Sequence, residues 1–189
     1  MVSPFIGSFR VSSPRGNRVI FGRQEFHKGL DLVAINDYTV YAIADGVIEA
    51  TPYEANGFGY YIRQKIADGR VIYYGHLAAG TTCVNAGQAV KAGDKLGIMG
   101  TTGSSTGLHT HIEIRQANSS NTNIDIAAFT GIPNERGTYY FAGFEQEPEK
   151  NETEEVNEEV TQEQFNEMMN VYITEMAQKS PSTWSKEAR

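Results

Sequence analysis

The chain of 189 residues predicts an all-β fold, an antiparallel β-sandwich or open barrel with a C-terminal helical appendage. Three observations carry that expectation. Short β-branched and aromatic runs alternate with glycine-bearing turns as far as residue 144, a spacing that suits strands. No long amphipathic helix is legible in the same stretch. Beyond it the pattern turns first to dense charge and then to a helical period.

Residues 1–144 form the first unit. Residues 38–43 and 47–50 read as strands separated by Asp45-Gly46, and residues 60–66 and 71–74 as strands separated by Asp68-Gly69. Asp68-Gly69 between two such runs is the strongest hairpin signal in the sequence. Val84-Asn85-Ala86-Gly87 and Val90-Lys91-Ala92-Gly93-Asp94 repeat a short turn, and residues 96–99 follow as another strand. Residues 145–160 (EQEPEKNETEEVNEEV) carry like charges and too little apolar surface for a core, so they read as a Glu-rich linker. Residues 161–179 open on a capping box, Thr161-Gln162-Glu163-Gln164. Phe165, Met168, Met169, Tyr172, Ile173 and Met176 then share one helical face. Ser180-Pro181 ends that helix, and residues 180–189 read either as the start of a truncated C-terminal module or as a frayed end.

Composition excludes several functional classes. Hydrophobic residues make up 40% and charged residues 21%, a globular balance. No apolar run approaches the roughly 20 residues of a membrane span, so no membrane insertion is expected. Met1 to Arg10 lacks the basic and apolar segments of a secretory signal, which predicts synthesis without such a leader. Cys83 is the only cysteine, so any metal site must be built from histidine and carboxylate. The net charge of −7 belongs to the tail: residues 1–144 hold 12 Lys+Arg against 11 Asp+Glu. That near-neutral unit lacks the basic patch of a nucleic-acid binder, and no nucleic-acid partner is expected.

The four histidines, His27, His76, His109 and His111, concentrate the chemistry. Were Phe26-His27-Lys28-Gly29-Leu30-Asp31-Leu32-Val33 a single strand, its period of two would put His27, Gly29 and Asp31 on one face. An imidazole and a carboxylate would then flank room for a metal ion or a substrate backbone, or simply hydrogen-bond to each other. In Leu108-His109-Thr110-His111-Ile112-Glu113-Ile114-Arg115 the same alternation aligns His109, His111 and Glu113. Two imidazoles so spaced either meet one zinc together, or one binds while its neighbour works on the bound water. Glu113 is then either an acceptor that fixes a tautomer behind a ligand or a solvated charge near a strand end. His76 lies in Tyr73-Tyr74-Gly75-His76-Leu77, at the end of the hairpin. The run from Gly97 to Gly107 (GIMGTTGSSTG) is no phosphate loop, because it lacks Gly-Lys-Ser/Thr and a following helix. Its glycines fit a tight loop that delivers His109 and His111.

Three blocks in order, His27-x-x-x-Asp31, Tyr74-Gly75-His76-Leu77 and the run from Gly103 through His109-Thr110-His111-Ile112-Glu113, resemble the signatures of lysostaphin-type (LytM-like) zinc metallopeptidases. The resemblance covers about residues 8–130, with Ser12 to Arg18 similar to the family's opening block although Arg15 stands where an aromatic is usual. It implies a compact antiparallel fold of the duplicated hybrid motif type with a groove over the sheet. It also implies one Zn2+ per chain on His27, Asp31 and His111, with His76 and His109 as catalytic histidines. The implied activity is endopeptidase cleavage of stem peptides or cross-bridges in bacterial peptidoglycan. The implied setting is a phage or prophage endolysin, made in the host cytoplasm and acting on the wall, with a C-terminal wall-binding module or helix-mediated self-association. The alternative is a non-catalytic peptidoglycan-binding or amidase-activating domain of the same fold. A biotinyl- or lipoyl-carrier module would need a lysine at an exposed hairpin tip, and the sequence offers none in that context.

Overall fold

The computed structural model describes residues 1–20, 22–116 and 122–144, all within the unit Met1–Glu145. The expected linker at 145–160, helix at 161–179 and segment 180–189 lie outside the described residues. In chain order the elements begin with β1 (Gly7–Ser13), β2 (Gly16–Ile20), β3 (Arg23–His27), β4 (Leu30–Ala34) and β5 (Thr39–Tyr41). Next come β6 (Gly46–Ala50), β7 (Tyr53–Glu54), β8 (Gly59–Lys65), β9 (Val71–Leu77) and β10 (Ala89–Val90). The last are β11 (Lys95–Ile98), β12 (Thr110–Arg115), β13 (Asn123–Ile124), α1 (Ile126–Thr130) and β14 (Gly137–Phe141).

The main sheet runs β10-β6-β8-β9-β12-β4-β1-β14, with β7 beside β8 and β13 beside β12. Every pairing is antiparallel and the order does not return on itself, so the sheet stays open, within the expected class. Two small sheets, β5 with β11 and β2 with β3, complete the fold. No helix among the described residues is long and apolar enough to cross a membrane. The helix α1 is a single turn that the sequence reading did not anticipate. Asp125 caps it by accepting the Ala127 amide at 3.0 Å, and Gly131 closes it in the left-handed region.

Period-two alternation sorts each central strand into a core face and a working face. Leu30 and Leu32 of β4, Ile62 of β8, Ile72 and Tyr74 of β9, and Ile112 and Ile114 of β12 are fully buried in one core. The Tyr74 hydroxyl donates to Gln64 Oε1 at 2.7 Å and accepts the Ile43 amide at 3.0 Å, while Gln64 Nε2 donates to the Ala44 carbonyl at 2.5 Å. Asp68-Gly69 closes the β8–β9 hairpin, Asp68 Oδ1 accepting the Arg70 amide at 3.0 Å. Asp45-Gly46 behaves differently. It carries the chain across from β5, which pairs with β11, to β6, which pairs with β8 and β10.

One expectation is corrected. Residues 26–33 are not one strand: β3 ends at His27 in a two-stranded sheet, and β4 starts at Leu30 in the main sheet. Gly29 therefore does not leave room for a metal or a substrate backbone. A Cβ there would collide with the Ile112 carbonyl and come within 2.8 Å of His111 Nε2. The glycine lets β12 pass against the turn, which brings His27 and His111 together.

Candidate metal centre

Register does most of the assembly. On β12, His111 pairs with Asp31 of β4 on one side and with Gly75 of β9 on the other. His27 reaches the same point from the end of β3, across the two-residue turn. His27 Nε2 lies 3.0 Å from Asp31 Oδ1 and 3.0 Å from His111 Nδ1, and His111 Nδ1 lies 2.9 Å from Asp31 Oδ1. These three are the described residues whose donor atoms cluster as a metal site. All three are buried.

The outward sides of the rings decide what faces inward. His27 Nδ1 is 2.8 Å from the Pro14 carbonyl, which only accepts, so that nitrogen carries the proton and Nε2 presents a lone pair. His111 Nε2 donates to Glu113 Oε2 at 3.1 Å. Glu113 is 2% exposed. Burial favours its neutral form, but hydrogen bonds and charge from His111 and Arg115 outweigh that and keep it ionised. Asp31 Oδ2 accepts Arg18 Nη1 at 2.9 Å, which leaves Oδ1 for the interior. Two ring lone pairs and a carboxylate oxygen thus meet within hydrogen-bond distance, an arrangement that needs positive charge between them.

A proton supplies part of that charge. Burial pushes the His111 imidazole down, but its hydrogen bonds to Asp31 and Glu113 and their charges lift it to about 9. The same contacts, from His111 and then His27, overcome the burial of Asp31 and hold its carboxyl far below the usual range. Protonated His111 satisfies Asp31 but still leaves His27 Nε2 facing Asp31 Oδ1. A divalent cation satisfies all three donors, so this donor set fits a metal.

His76 and His109 line the same site. The His109 amide bonds to the Gly100 carbonyl just before β12 begins. Its Nδ1 faces the Gly107 carbonyl at 2.8 Å, so Nε2 is the free lone pair, 3.6 Å from Asp31 Oδ1. His76 Nδ1 likewise donates to the Thr102 carbonyl at 2.8 Å. Burial lowers its pKa to about 4 against that hydrogen bond, so the ring is neutral near pH 7. The His76 and His109 ring centroids are 4.7 Å apart.

His76 owes its aim to a backbone irregularity. The β8–β9 register slips between Tyr60 and Ile62, and His76 has φ +61°, the only non-glycine residue with positive φ among those described. A bulge of this kind turns a strand side chain out of its normal alternation. The loop after β11 is shaped to match. Gly103 has φ +72°, and a Cβ there would strike Gly59, so the loop and β8 approach backbone to backbone. Thr102 then supplies its carbonyl to His76 and its hydroxyl to the Leu77 carbonyl at 2.7 Å.

A cleft of about 640 Å³ opens over these groups, lined also by Ser12, Ser13, Ile20, Arg136 and Ser104 to Thr106. That volume suits a peptide segment or a small ligand. Phe58, tilted against Tyr61 and Tyr73, has its ring centroid 5.6 Å from that of His111. All five expected site residues and Glu113 therefore converge. Sequence reasoning missed the groups behind them, namely Arg18 and the carbonyls of Pro14, Thr102 and Gly107. Arg18 stood in view only as the end of the opening block, and backbone acceptors leave no mark in a sequence.

Residues 25–125, just over half of the chain, match the model of peptidase family M23, and the chain belongs to that family. It is 37% identical over 108 residues to the peptidoglycan DD-endopeptidase ShyC of Vibrio cholerae, covering 55% of this chain and 24% of that protein. The chain spans about a quarter of the length of the curated relatives it matches. The catalytic domain of lysostaphin, an antimicrobial peptidase from Staphylococcus simulans, superposes with a TM-score of 0.57 at 29% identity, over 64% of this chain and 90% of that one. The catalytic domain of the prophage-encoded M23 protein EnpA from Enterococcus faecalis gives 0.54 at 28% identity, over 66% and 91%.

Two outcomes are expected. His111 without metal has its pKa raised to about 9, so at pH 7 an incoming cation must displace a proton. Calorimetric titration with zinc in buffers of different ionisation enthalpy will show release of about one proton per ion, and affinity that falls as pH drops. Zinc uptake with no proton release at pH 7 contradicts the protonated state of metal-free His111. The left-handed backbone at His76 reverses the usual ranking of glycine and alanine in a strand. His76→Gly will exceed His76→Ala in stability to urea by about 1 kcal/mol, and an alanine variant as stable as the glycine one refutes the strain.

Proposed function

We propose that this member of peptidase family M23 is a zinc-dependent endopeptidase that cleaves peptide bonds in peptidoglycan stems or cross-bridges. The observation that carries the reading is the convergence of His27 Nε2, Asp31 Oδ1 and His111 Nδ1, two of which, Asp31 and His111, line an open cleft. Two imidazoles and one carboxylate form the ligand set of a catalytic zinc, which keeps a further position for water or substrate. One ion per chain is expected.

A zinc ion held by His27, Asp31 and His111 would supply Lewis acidity toward a peptide carbonyl and a bound water. The remaining work falls to the protein. His109 Nε2 is a lone pair facing Asp31 and the cleft, set by the Gly107 carbonyl behind it, so it is placed to take a proton from an attacking water. His76 is neutral, buried and fixed by Thr102, and its Nε2 accepts a proton or, once charged, donates to a developing oxyanion. Histidine thereby fills the place that glutamate holds in helical zinc proteases. Glu113 and Arg18 keep His111 and Asp31 oriented from outside the site.

The wall as substrate is supported by the peptidoglycan endopeptidase from Vibrio cholerae that the chain resembles. A phage or prophage lysin is the setting we favour, with the EnpA likeness as its support. The test is solubilisation of purified sacculi by the zinc-loaded protein, followed as release of new amino termini. Wild type is expected to release them, and folded His111→Ala to lose metal and at least about 10²-fold of the rate. Unchanged hydrolysis by His111→Ala, or wild-type binding to sacculi without any new amino terminus, overturns the assignment.

A further inference from the structure

The charges around the cleft are paired with one exception. Arg18 is committed to Asp31 Oδ2 at 2.9 Å, Glu25 Oε1 at 2.6 Å and Ser13 Oγ at 3.0 Å. Asp31 faces His27, His111 and His109. Arg136 also lines the cleft, yet it is exposed and has no hydrogen bond or ion pair among the described residues. Its position is fixed nonetheless. It directly precedes β14, whose first residue Gly137 pairs with Val11 of β1, and β1 continues into Ser12 and Ser13, which line the same cleft. The loop before it is pinned to the β1–β2 turn: Asn134 Oδ1 accepts the Arg15 amide at 2.8 Å and Asn134 Nδ2 donates to the Arg15 carbonyl at 3.0 Å. On the other side the Glu135 carbonyl accepts the Tyr139 hydroxyl at 3.3 Å.

A guanidinium carried on an anchored loop, facing a cleft that holds no carboxylate for it, is poised for an anion from outside. Its planar fork matches a carboxylate through two parallel hydrogen bonds, which a lysine ammonium does not reproduce. In open water such a pair contributes little. A peptide seated in the cleft excludes water and strengthens it.

We propose that Arg136 is a specificity-determining residue that binds a carboxylate of the peptide substrate, so that the enzyme prefers wall peptides carrying a free carboxylate near the cleaved bond over their amidated or uncharged counterparts. This rests on the endopeptidase reading above. The carboxylate comes either from a side chain or from the free C-terminus of a stem peptide.

A fluorescently labelled synthetic stem peptide in four forms separates the sources: side-chain carboxylate free or amidated, C-terminus free or amidated. Binding is read by fluorescence anisotropy on the full chain, and cleavage by chromatography of the products. Wild type is expected to bind and to cleave one carboxylate form about tenfold better than its amide at low salt, and the arm that responds identifies the source. Arg136→Gln is expected to lose the preference and Arg136→Lys to keep part of it. Equal binding of all four forms by wild type, or an undiminished preference in Arg136→Gln, overturns the proposal. A binding preference with no cleavage of any form leaves the role of Arg136 standing and defeats the endopeptidase reading. Cleavage without preference does the reverse.

Discussion

Two imidazole lone pairs and one carboxylate oxygen meet within about 3 Å, and they remain there because each is gripped from its far side. The Pro14 carbonyl holds His27, Arg18 holds Asp31, and Glu113 with Arg115 holds His111. The inward atoms repel unless positive charge lies between them. The folding energy of the surrounding strands keeps the repelling atoms in place, and the same repulsion becomes affinity for a cation. His27, His76 and His109 each have Nδ1 tied to a backbone carbonyl that can only accept, and His111 has Nε2 tied to Glu113, so the opposite nitrogen of each ring is the one that faces the site.

The sheet provides the rigidity this requires. Asp31, His111 and Gly75 lie side by side on adjacent antiparallel strands, so their spacing is set by backbone hydrogen bonds and not by flexible loops. The two other histidines arrive by departures from regular strand: His76 through a bulge with a left-handed residue, His109 through the residue just ahead of β12. Regular structure holds the cation donors, and irregular structure aims the proton-handling rings. The division is physically sensible, because a strand alternates its side chains strictly and only a break in alternation lets neighbouring strands direct extra groups to one point.

How far the sequence revealed this differs from residue to residue. His111 and Glu113 were legible because a period of two in an Ile-rich strand allows one arrangement only, and the buried Ile112 and Ile114 bear it out. His27 and Asp31 were legible as a pair, but the break between them was not. The local pattern reads as continuous strand, and the reason for Gly29 lies on β12, more than eighty residues away in the chain. His76 was marked only by the resemblance of the block Tyr74-Gly75-His76-Leu77, and its direction was not legible, since that depends on a register slip against β8. Arg18 was visible only as the last residue of the block from Ser12 to Arg18, with nothing to tie it to Asp31. The all-β class was visible throughout, because turns at Asp68-Gly69 and alternating apolar residues are local properties. Which strand pairs with which was not, and the turn at Asp45-Gly46 gave no sign that it carries the chain from one sheet to another.

The convergence of the three inward atoms is tested most directly by anomalous diffraction from crystals of the zinc-loaded protein, collected on both sides of the metal edge. The account predicts a single peak about 2.0–2.2 Å from His27 Nε2, Asp31 Oδ1 and His111 Nδ1, with His111 Nε2 still on Glu113 and no further protein donor. A peak bound through His111 Nε2, one displaced from these residues, or one enclosed by a fourth side chain contradicts it.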